Sequence, residues 1–408
     1  MNKIVLSAIA ALTLGSFAAS ASDVKLYSDD NGQVFTMAGE GRTEVKTSTP
    51  VFANADKLKF SGLTYLGYTY NDRKAKLADG SVNPDTDSSD FEIRRSYLQL
   101  KAYLLDDPKS YFRVTFDLTK DATGDSKVRA KYAYLFINNI LPATGVEIGL
   151  AHRPWHDYEE HNAWYYRNIS KVLIEDKVFG ADLSNSADFG VMTKTKTQYF
   201  DADIGLFNGE GYHSASNGTG MSLEWRTTAH LLGVNGKDKQ TKKTYWDASF
   251  FGQYNVGHKS AKPIVNNVTG TAENQDLIFG GLHTVFNMPS FLVAAQYVKS
   301  QDTSDTTGAI SGQAGDGYSV NAEYRFGSDY QYRALARYDT WTFDQIELGD
   351  TSTKENKGYI LGAAWEQNKN VQWVANVIVT DNEGRTPVAK SREYNNGTQY
   401  MLTAEVRF

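Results

Sequence analysis

FEIRRSYLQLKAYLLDDPKSYFRVTFDL, residues 91–118, decides how the rest of the chain is read. Divided at DDPKS, each arm alternates. In the second arm Phe112, Val114, Phe116 and Leu118 share one face, and Arg113, Thr115, Asp117 and Thr119 share the other. In the first arm Leu98, Leu100, Ala102 and Leu104 oppose Arg95, Tyr97, Gln99, Lys101 and Tyr103. Successive side chains of a strand point to opposite faces, so this is a hairpin with one apolar and one charged face. A water-soluble sheet buries its apolar face in a core. A membrane barrel turns that face to lipid and its charged face to a watery lumen.

The connections separate the two readings. Strand-like runs follow one another from residue 59 to the C-terminus, about sixteen in all, an even number within the range of bacterial barrels. The connections 106–110, 138–144, 197–198, 287–290, 327–330 and 367–370 are short. The alternate ones, 71–90, 153–187, 209–220, 257–275, 300–317, 343–356 and 381–397, are mostly long and polar. Two break the pattern: 121–126 is short where a loop is due, and 235–244 is long where a turn is due. Short turns at one end and long loops at the other mark an outer-membrane barrel, with the turns periplasmic and the loops extracellular. The expected fold is therefore all-β, a transmembrane antiparallel β-barrel with long extracellular loops.

The two termini agree with export to such a place. MNKIVLSAIAALTLGSFAASASD has Lys3 as a positive start, an apolar stretch and the small-residue site Ala19-Ser20-Ala21, which reads as a signal peptide over residues 1–21 cut before Ser22. Residues 22–58 read as a periplasmic extension or lead-in, with a small hairpin through Asp30-Asn31-Gly32, and residues 59–408 as the barrel. The last strand, TQYMLTAEVRF, alternates through Tyr400, Leu402, Ala404, Val406 and Phe408 and ends on an aromatic residue, like the assembly signal of bacterial outer-membrane proteins.

Composition removes several function classes. There is no cysteine, so neither disulfides nor thiol chemistry enter. A net charge of −6 makes general nucleic-acid binding a poor fit. The 25 Tyr, 20 Phe and 7 Trp, with only 8 Pro, favour strands over helices. His230, His258 and His283 lie on different runs, and no G-x-S-x-G accompanies them, so no nucleophile and base are placed together for an enzyme.

An arginine or lysine on the lipid face at the midplane costs roughly 2–4 kcal/mol, against a total stability of about 5–15 kcal/mol. Lys101, Arg113, Arg129, Lys131, Arg333 and Arg337 must therefore face the lumen or lie beyond the membrane band. The lipid face then falls to Phe112/Val114/Phe116, Tyr132/Tyr134/Phe136, Phe250/Tyr254, Tyr318/Val320/Ala322/Tyr324 and Trp373/Ala375/Val377. On the early strands the lumen side carries Arg95, Lys101, Arg113, Arg129, Lys131 and Arg153 against Asp117 and Glu147. Asp188, Asp201, Asp203, Glu224 and Asp247 are also expected inward, as are Glu323, Asp339 and Glu366. Clustered guanidinium and ammonium groups in a narrow pore concentrate anions, while a mixture of both signs merely keeps a pore wet; both readings stand.

FEIRRSYLQLKAYL, the C-terminal VRF and the lead-in KLYSDDNGQVFT resemble the phosphate-selective porin O and P family over nearly the whole mature chain. Phe91-x-Ile93-Arg94-Arg95-x-x-Leu98 is the most specific part of that resemblance. It implies a sixteen-stranded homotrimer embedded in outer-membrane lipid, each barrel narrowed by an inward-folded constriction loop after strand five, here residues 152–187. No dedicated lysine cluster or arginine ladder can be matched residue by residue beyond Arg94 and Arg95.

That loop contains HRPWHDYEEHNAWYYRNISK. His152, His156 and His161, with Asp157, Glu159 and Glu160, are metal-donor types, but their spacing fits no structural zinc pattern and no metal or cofactor is expected. Trp155, Trp164, Tyr165 and Tyr166 are expected to pack the loop on the wall, leaving Arg167 and Lys171 to present charge to the pore. The functional expectation is a passive outer-membrane porin for small hydrophilic solutes with an anion, phosphate-like preference. Its alternatives are a general or sugar- or carboxylate-specific channel, and a non-conducting β-barrel adhesin acting through its loops.

Overall fold

The computed structural model describes residues 27–29, 33–44, 57–76, 82–83, 87–120, 124–213, 220–235, 241–258, 264–265, 272–273, 275–302, 314–347, 350–383 and 396–408. The signal peptide expected over residues 1–21 lies outside them. Two compact units result, Met1–Lys57 and Leu58–Phe408.

The second unit is a closed antiparallel barrel of sixteen long strands. They are β1 (Leu58–Lys76), β2 (Ser88–Ala102), β3 (Tyr111–Lys120), β4 (Ser126–Leu141), β5 (Thr144–His152) and β6 (Ala187–Lys196). β7 (Phe200–Phe207), β8 (Ser222–His230), β9 (Tyr245–His258), β10 (Gln275–Met288) and β11 (Phe291–Asp302) follow. β12 (Gly315–Phe326), β13 (Tyr332–Glu347), β14 (Asp350–Asn368), β15 (Val371–Asn382) and β16 (Asn396–Arg407) complete it. Each strand pairs with the next, and β16 pairs with β1, so no edge is left open.

The seam depends on the terminal residue. The Phe408 N–H donates to the Gly62 carbonyl at 3.1 Å, and the Gly62 N–H returns a bond to Phe408 at 3.0 Å. A Cβ at Gly62 would stand 2.3 Å from the Phe408 ring, so only glycine lets that ring lie across β1.

Alternation explains most of the outer surface. Phe112, Phe250, Tyr318, Tyr324 and Trp373 all point outward, as their positions in the pattern require. Tyr132, Tyr134 and Phe136 do not, contrary to the sequence expectation. Thr115 pairs with Tyr132 but the next residue, Phe116, pairs with Ala130, so Lys131 is a bulge. One extra residue flips every side chain beyond it, because the strand period is two. Tyr132 and Tyr134 are consequently turned inward, with 7% and 1% of their surface exposed. Leu135 instead pairs with the outward-facing Ile148. A second bulge sits at Arg94: Tyr65 pairs with Arg95 and Leu66 with Ile93, which lets two consecutive arginines both face inward.

The lumen is not uniformly polar. Inward positions on β9 to β16 include Phe251, Phe279, Val298, Trp341, Ile360 and Ile378, all fully or almost fully buried. They form one apolar cluster with Trp155, Trp164, Tyr166, Leu173, Ile174 and Phe179 of the connection between β5 and β6. That connection opens with α1 (Pro154–Asn162), whose Pro154 occupies the first helical turn, where a missing N–H costs nothing. Trp155 stacks on Phe251 with ring centres 3.7 Å apart and planes 5° from parallel. Polar anchors complete the seat. Asn321 donates to the Ala163 carbonyl (3.0 Å), Arg337 to that of Lys171 (2.9 Å) and Arg94 to that of Asn168 (3.0 Å). The cavities left open border β1–β4, the connection itself and, toward the turn end, β13 to β16.

Of the connection expected to be long where a turn is due, residues 235–244, the described end at Thr241 and Lys243 is held to neighbouring strands. Arg325 donates to the Thr241 carbonyl at 2.9 Å and to Asn287 at 2.8 Å, and Asn287 bonds the Lys243 carbonyl at 2.6 Å.

In the first unit, Tyr27–Asp29 is the centre of a three-stranded antiparallel sheet, flanked by Val34–Phe35 and Arg42–Glu44. The arms of the expected hairpin pair; its turn, residues 30–32, lies outside the described residues. The Arg42 guanidinium lies 3.4 Å from the centre of the Phe35 ring.

Candidate functional site

Most lumen cations are matched by acids. Arg153 meets Glu224 at 2.6 Å and Asp188 at 3.7 Å, so it is neutralised in the wall rather than offered to the pore. Arg226 meets Asp203 at 2.6 Å, and Arg337 meets Asp339 at 2.6 Å. Arg333 is paired with Glu366, and Arg325 with Glu323. Lys194 meets Glu147 at 3.2 Å. Arg226, Arg325 and Lys194 belong to the same set, and alternation alone puts them on the inward face.

The wall formed by β2, β3 and β4 is different. At the loop end, Arg95 reaches Asp117 at 3.1 Å and Arg129 reaches the same carboxylate at 3.7 Å, so two cations share one acid. One level down, the Lys131 ammonium lies 4.6 Å from the Tyr97 ring centre and 3.4 Å from its hydroxyl. Lower still, Arg113 donates to Thr115 at 3.0 Å and to the Tyr134 hydroxyl at 3.3 Å, lies 3.0 Å from His152 Nε2, and sits 4.7 Å from the Tyr132 ring centre. Lys101 stands 4.4 Å over the Tyr111 ring. Among the described residues Lys101, Arg113 and Lys131 have no carboxylate partner. Tyrosine faces partly compensate their desolvation without cancelling their charge.

This arrangement follows from local sequence. Arg113 and Lys101 are cross-strand partners, so their stacking on one level is fixed by the hairpin register. The bulge at Lys131 places an ammonium and a tyrosine side by side on the same face. Neither consequence is visible from alternation alone.

The inward connection contributes two further cations. Arg167 pairs with Glu160 and, at 2.8 Å, with Glu175; Lys171 reaches Glu175 at 3.2 Å. Burial alone would raise the Glu175 carboxyl, but the Arg167 and Lys171 charges hold it well below the ordinary range. Arg167 is thus locked in the connection and not a free pore charge, whereas Lys171 is a quarter exposed. Glu159 behaves oppositely: burial pushes it up to about 7, with Asp339 adding to the rise and Arg337 opposing it. Burial likewise lowers His156 to about 3.

A second connection touches the cationic wall. Tyr212 lies 5.4 Å from the Arg129 guanidinium, and His213 Nδ1 accepts from Arg129 at 2.6 Å. Burial and then the charge of Arg129 hold His213 down at about 3, so its ring is neutral and free to accept. Nothing in the sequence pattern around residues 209–220 singles out this pair.

Two cavities flank Arg167, which lines both. The one toward the loop end measures about 740 Å³ and is bordered by Arg94, Arg95, Arg129 and Lys171. The one toward the turn end measures about 660 Å³ and is bordered by Arg113, Lys131, Tyr97 and His152. Among the described residues no group of three or more His, Cys, Asp or Glu is arranged to hold a metal ion.

No family model matches the chain, and no curated protein sequence does. Solved structures do. The chain is similar to an anion-selective porin from Comamonas acidovorans at 12% identity, covering 86% of this chain and 99% of that one with a TM-score of 0.56. It is similar to the outer membrane channel DcaP of Acinetobacter baumannii at 11% identity, covering 86% and 97% with a TM-score of 0.55. OmpT, an outer-membrane protein of Vibrio cholerae, matches at 10% identity over 86% and 97% with a TM-score of 0.54. At such identities the likeness is one of fold: the chain has the architecture of outer-membrane porins.

Proposed function

We propose that this protein is a passive diffusion channel of a Gram-negative-type outer membrane, admitting small hydrophilic solutes with a preference for anions. One observation carries the preference. Among the described residues Lys101, Arg113 and Lys131 line a single wall of the lumen without carboxylate partners, while Arg153, Arg226 and Arg337 on other walls are paired with acids. Uncompensated positive charge beside a narrowed passage raises the local concentration of anions and lowers that of cations. The outward belt of aromatic and aliphatic side chains suits lipid, and the inward connection acts as the constriction. Phosphate is the anion to which the resemblance in residues 91–98 points.

A planar-bilayer recording across a KCl gradient tests this reading. The expected result is discrete open steps with a reversal potential on the chloride side, reduced by added phosphate if the phosphate preference holds. A reversal potential on the potassium side would remove the anion preference. Well-folded protein that gives no steps would favour the adhesin.

The same reading includes assembly into a trimer through the low side of the barrel. β5, β7 and β8 have nine, eight and nine residues, against nineteen for β1 and β14. At roughly 3.4 Å per residue and a tilt of about 40°, the short strands rise no higher than the apolar band of roughly 25 Å. Taller neighbours can therefore close over that side. Crosslinking of membranes should yield dimers and trimers, most efficiently through cysteines placed at the rims of β5 and β7. A purely monomeric pattern would remove this part.

A further inference from the structure

We propose that the cavity on the turn side of Arg167 is a binding subsite for a hydroxylated carboxylate, a sugar acid in chemical class. This rests on the anion-preferring reading above and gives it a substrate class.

Two kinds of charge face the 660 Å³ space, a size within the ~300–1,000 Å³ typical of small-molecule sites. Arg113 and Lys131 offer positive charge that no carboxylate has taken. Asp157, Glu160, Glu366 and Glu405 also border the space, and each is already held by a cation. Lys194 holds Asp157, Arg167 holds Glu160, Arg333 holds Glu366 and Arg407 holds Glu405. A carboxylate in an ion pair has its charge largely cancelled but keeps lone pairs that accept from a hydroxyl. Ser61, Gln99, Thr115 and Gln372 add neutral hydroxyl and amide groups.

Each simpler solute leaves something unmet. A small inorganic oxyanion wants a shell of donors, and four carboxylates are acceptors only. An alkyl carboxylate satisfies the cations and sets its chain against polar groups that lose water without gaining partners. A flat aromatic acid finds two of the lining rings already in contact with cations or imidazole: Tyr132 meets Arg113 at 4.7 Å, His152 at 4.2 Å and Lys131 at 5.3 Å, and Tyr97 meets Lys131 at 4.6 Å. A sugar acid brings one negative end for Arg113 and Lys131 and several hydroxyls for the paired acids. The cavity on the loop side, with Arg94, Arg95, Arg129 and Lys171, attracts anions of any shape; selection falls to the second.

The test compares three probes in the same KCl bilayer recordings: gluconate, hexanoate with the same charge and carbon number, and inorganic phosphate. Gluconate should interrupt the current at a concentration about tenfold below either of the others, the span of one charge-assisted contact. Arg113→Gln and Lys131→Gln should each weaken gluconate by about the same factor. The wild-type comparison needs no variant, so it stands even if one misfolds. Equal block by gluconate and hexanoate, or stronger block by phosphate, with a chloride-side reversal potential overturns the subsite alone. A potassium-side reversal potential overturns the anion reading beneath it.

Discussion

Excising residues 155–183 and joining Pro154 to Ser184 through a short Gly-Ser link is expected to raise single-channel conductance several-fold and to weaken anion preference. The chain leaves and returns at one place: the Arg153 N–H donates to the Ser186 carbonyl at 3.2 Å, and the Arg153 guanidinium reaches the Ser184 hydroxyl at 2.6 Å. The excision therefore removes the inserted segment without asking the barrel to change register. What it removes fills the lumen from the β9–β16 side, including Trp155, Trp164, Tyr166, Ile174 and Phe179. Lys101, Arg113 and Lys131 stay, but in a wider passage most ions cross more than a Debye length, about 10 Å at 0.1 M salt, from them.

The same excision should cost stability. Phe251, Val298, Trp341 and Ile360 would exchange an apolar seat for lumen water, at roughly 1.5–3 kcal/mol for each side chain uncovered. A lower melting temperature with retained sheet signal is the expected companion of the larger conductance. Unchanged conductance in a correctly folded variant would show that the constriction lies elsewhere.

The barrel was legible because membrane sheets obey a strict two-residue period and because turns and loops sort to opposite ends. Residues 91–118 display the first and the connections from 71 to 397 the second, and the sixteen strands follow. What alternation could not show was where it is interrupted. Arg94-Arg95 carried a usable signal: strict alternation would send one arginine into lipid at roughly 2–4 kcal/mol, so a bulge was the cheaper solution. Lys131-Tyr132 carried none, since Arg129 and Lys131 already alternate with tyrosines that suit an interface. The flip that brings Tyr132 and Tyr134 beneath Arg113 appears only in the pairing of β3 with β4.

Charge pairing was equally hidden. Arg153 and Arg167 look like pore cations in sequence, because their acidic partners, Glu224 and Glu175, come from a strand far along the chain and from a turn of the same segment. The apolar inner face of β9 to β16 was hidden for a related reason. An alternating strand with apolar residues on both faces reads as lipid outside and core inside, and the core here is supplied by a loop rather than by a second sheet.

Reversing the charges at Arg113 and Lys131 together, by Arg113→Glu and Lys131→Glu, is expected to swing the KCl reversal potential from the chloride to the potassium side. Each swap moves the local charge by two units, against which the wall keeps Lys101 beside Arg113 and the Arg95–Asp117–Arg129 group one level up. The charges on the remaining walls are largely matched, so these residues set the sign of the field. A unit charge at 4 Å is worth about 1 kcal/mol even at the dielectric constant of water, roughly a fivefold change in the local concentration of each ion, in opposite directions for anion and cation. Four units at such range far outweigh thermal noise, and partial pairing of the new carboxylates with Arg95 or Arg167 redistributes the charge without restoring it. The shift should shrink in 1 M salt, where the Debye length is only about 3 Å. Arg226→Gln with Asp203→Asn supplies the contrast, since it deletes a pair meeting at 2.6 Å and leaves the net charge unaltered. That double variant should conduct with nearly the original reversal potential. If the reversed wall still preferred chloride, or if the matched deletion moved the potential as far, selectivity would reside in the loops above the barrel and not in the row of cations set against tyrosine.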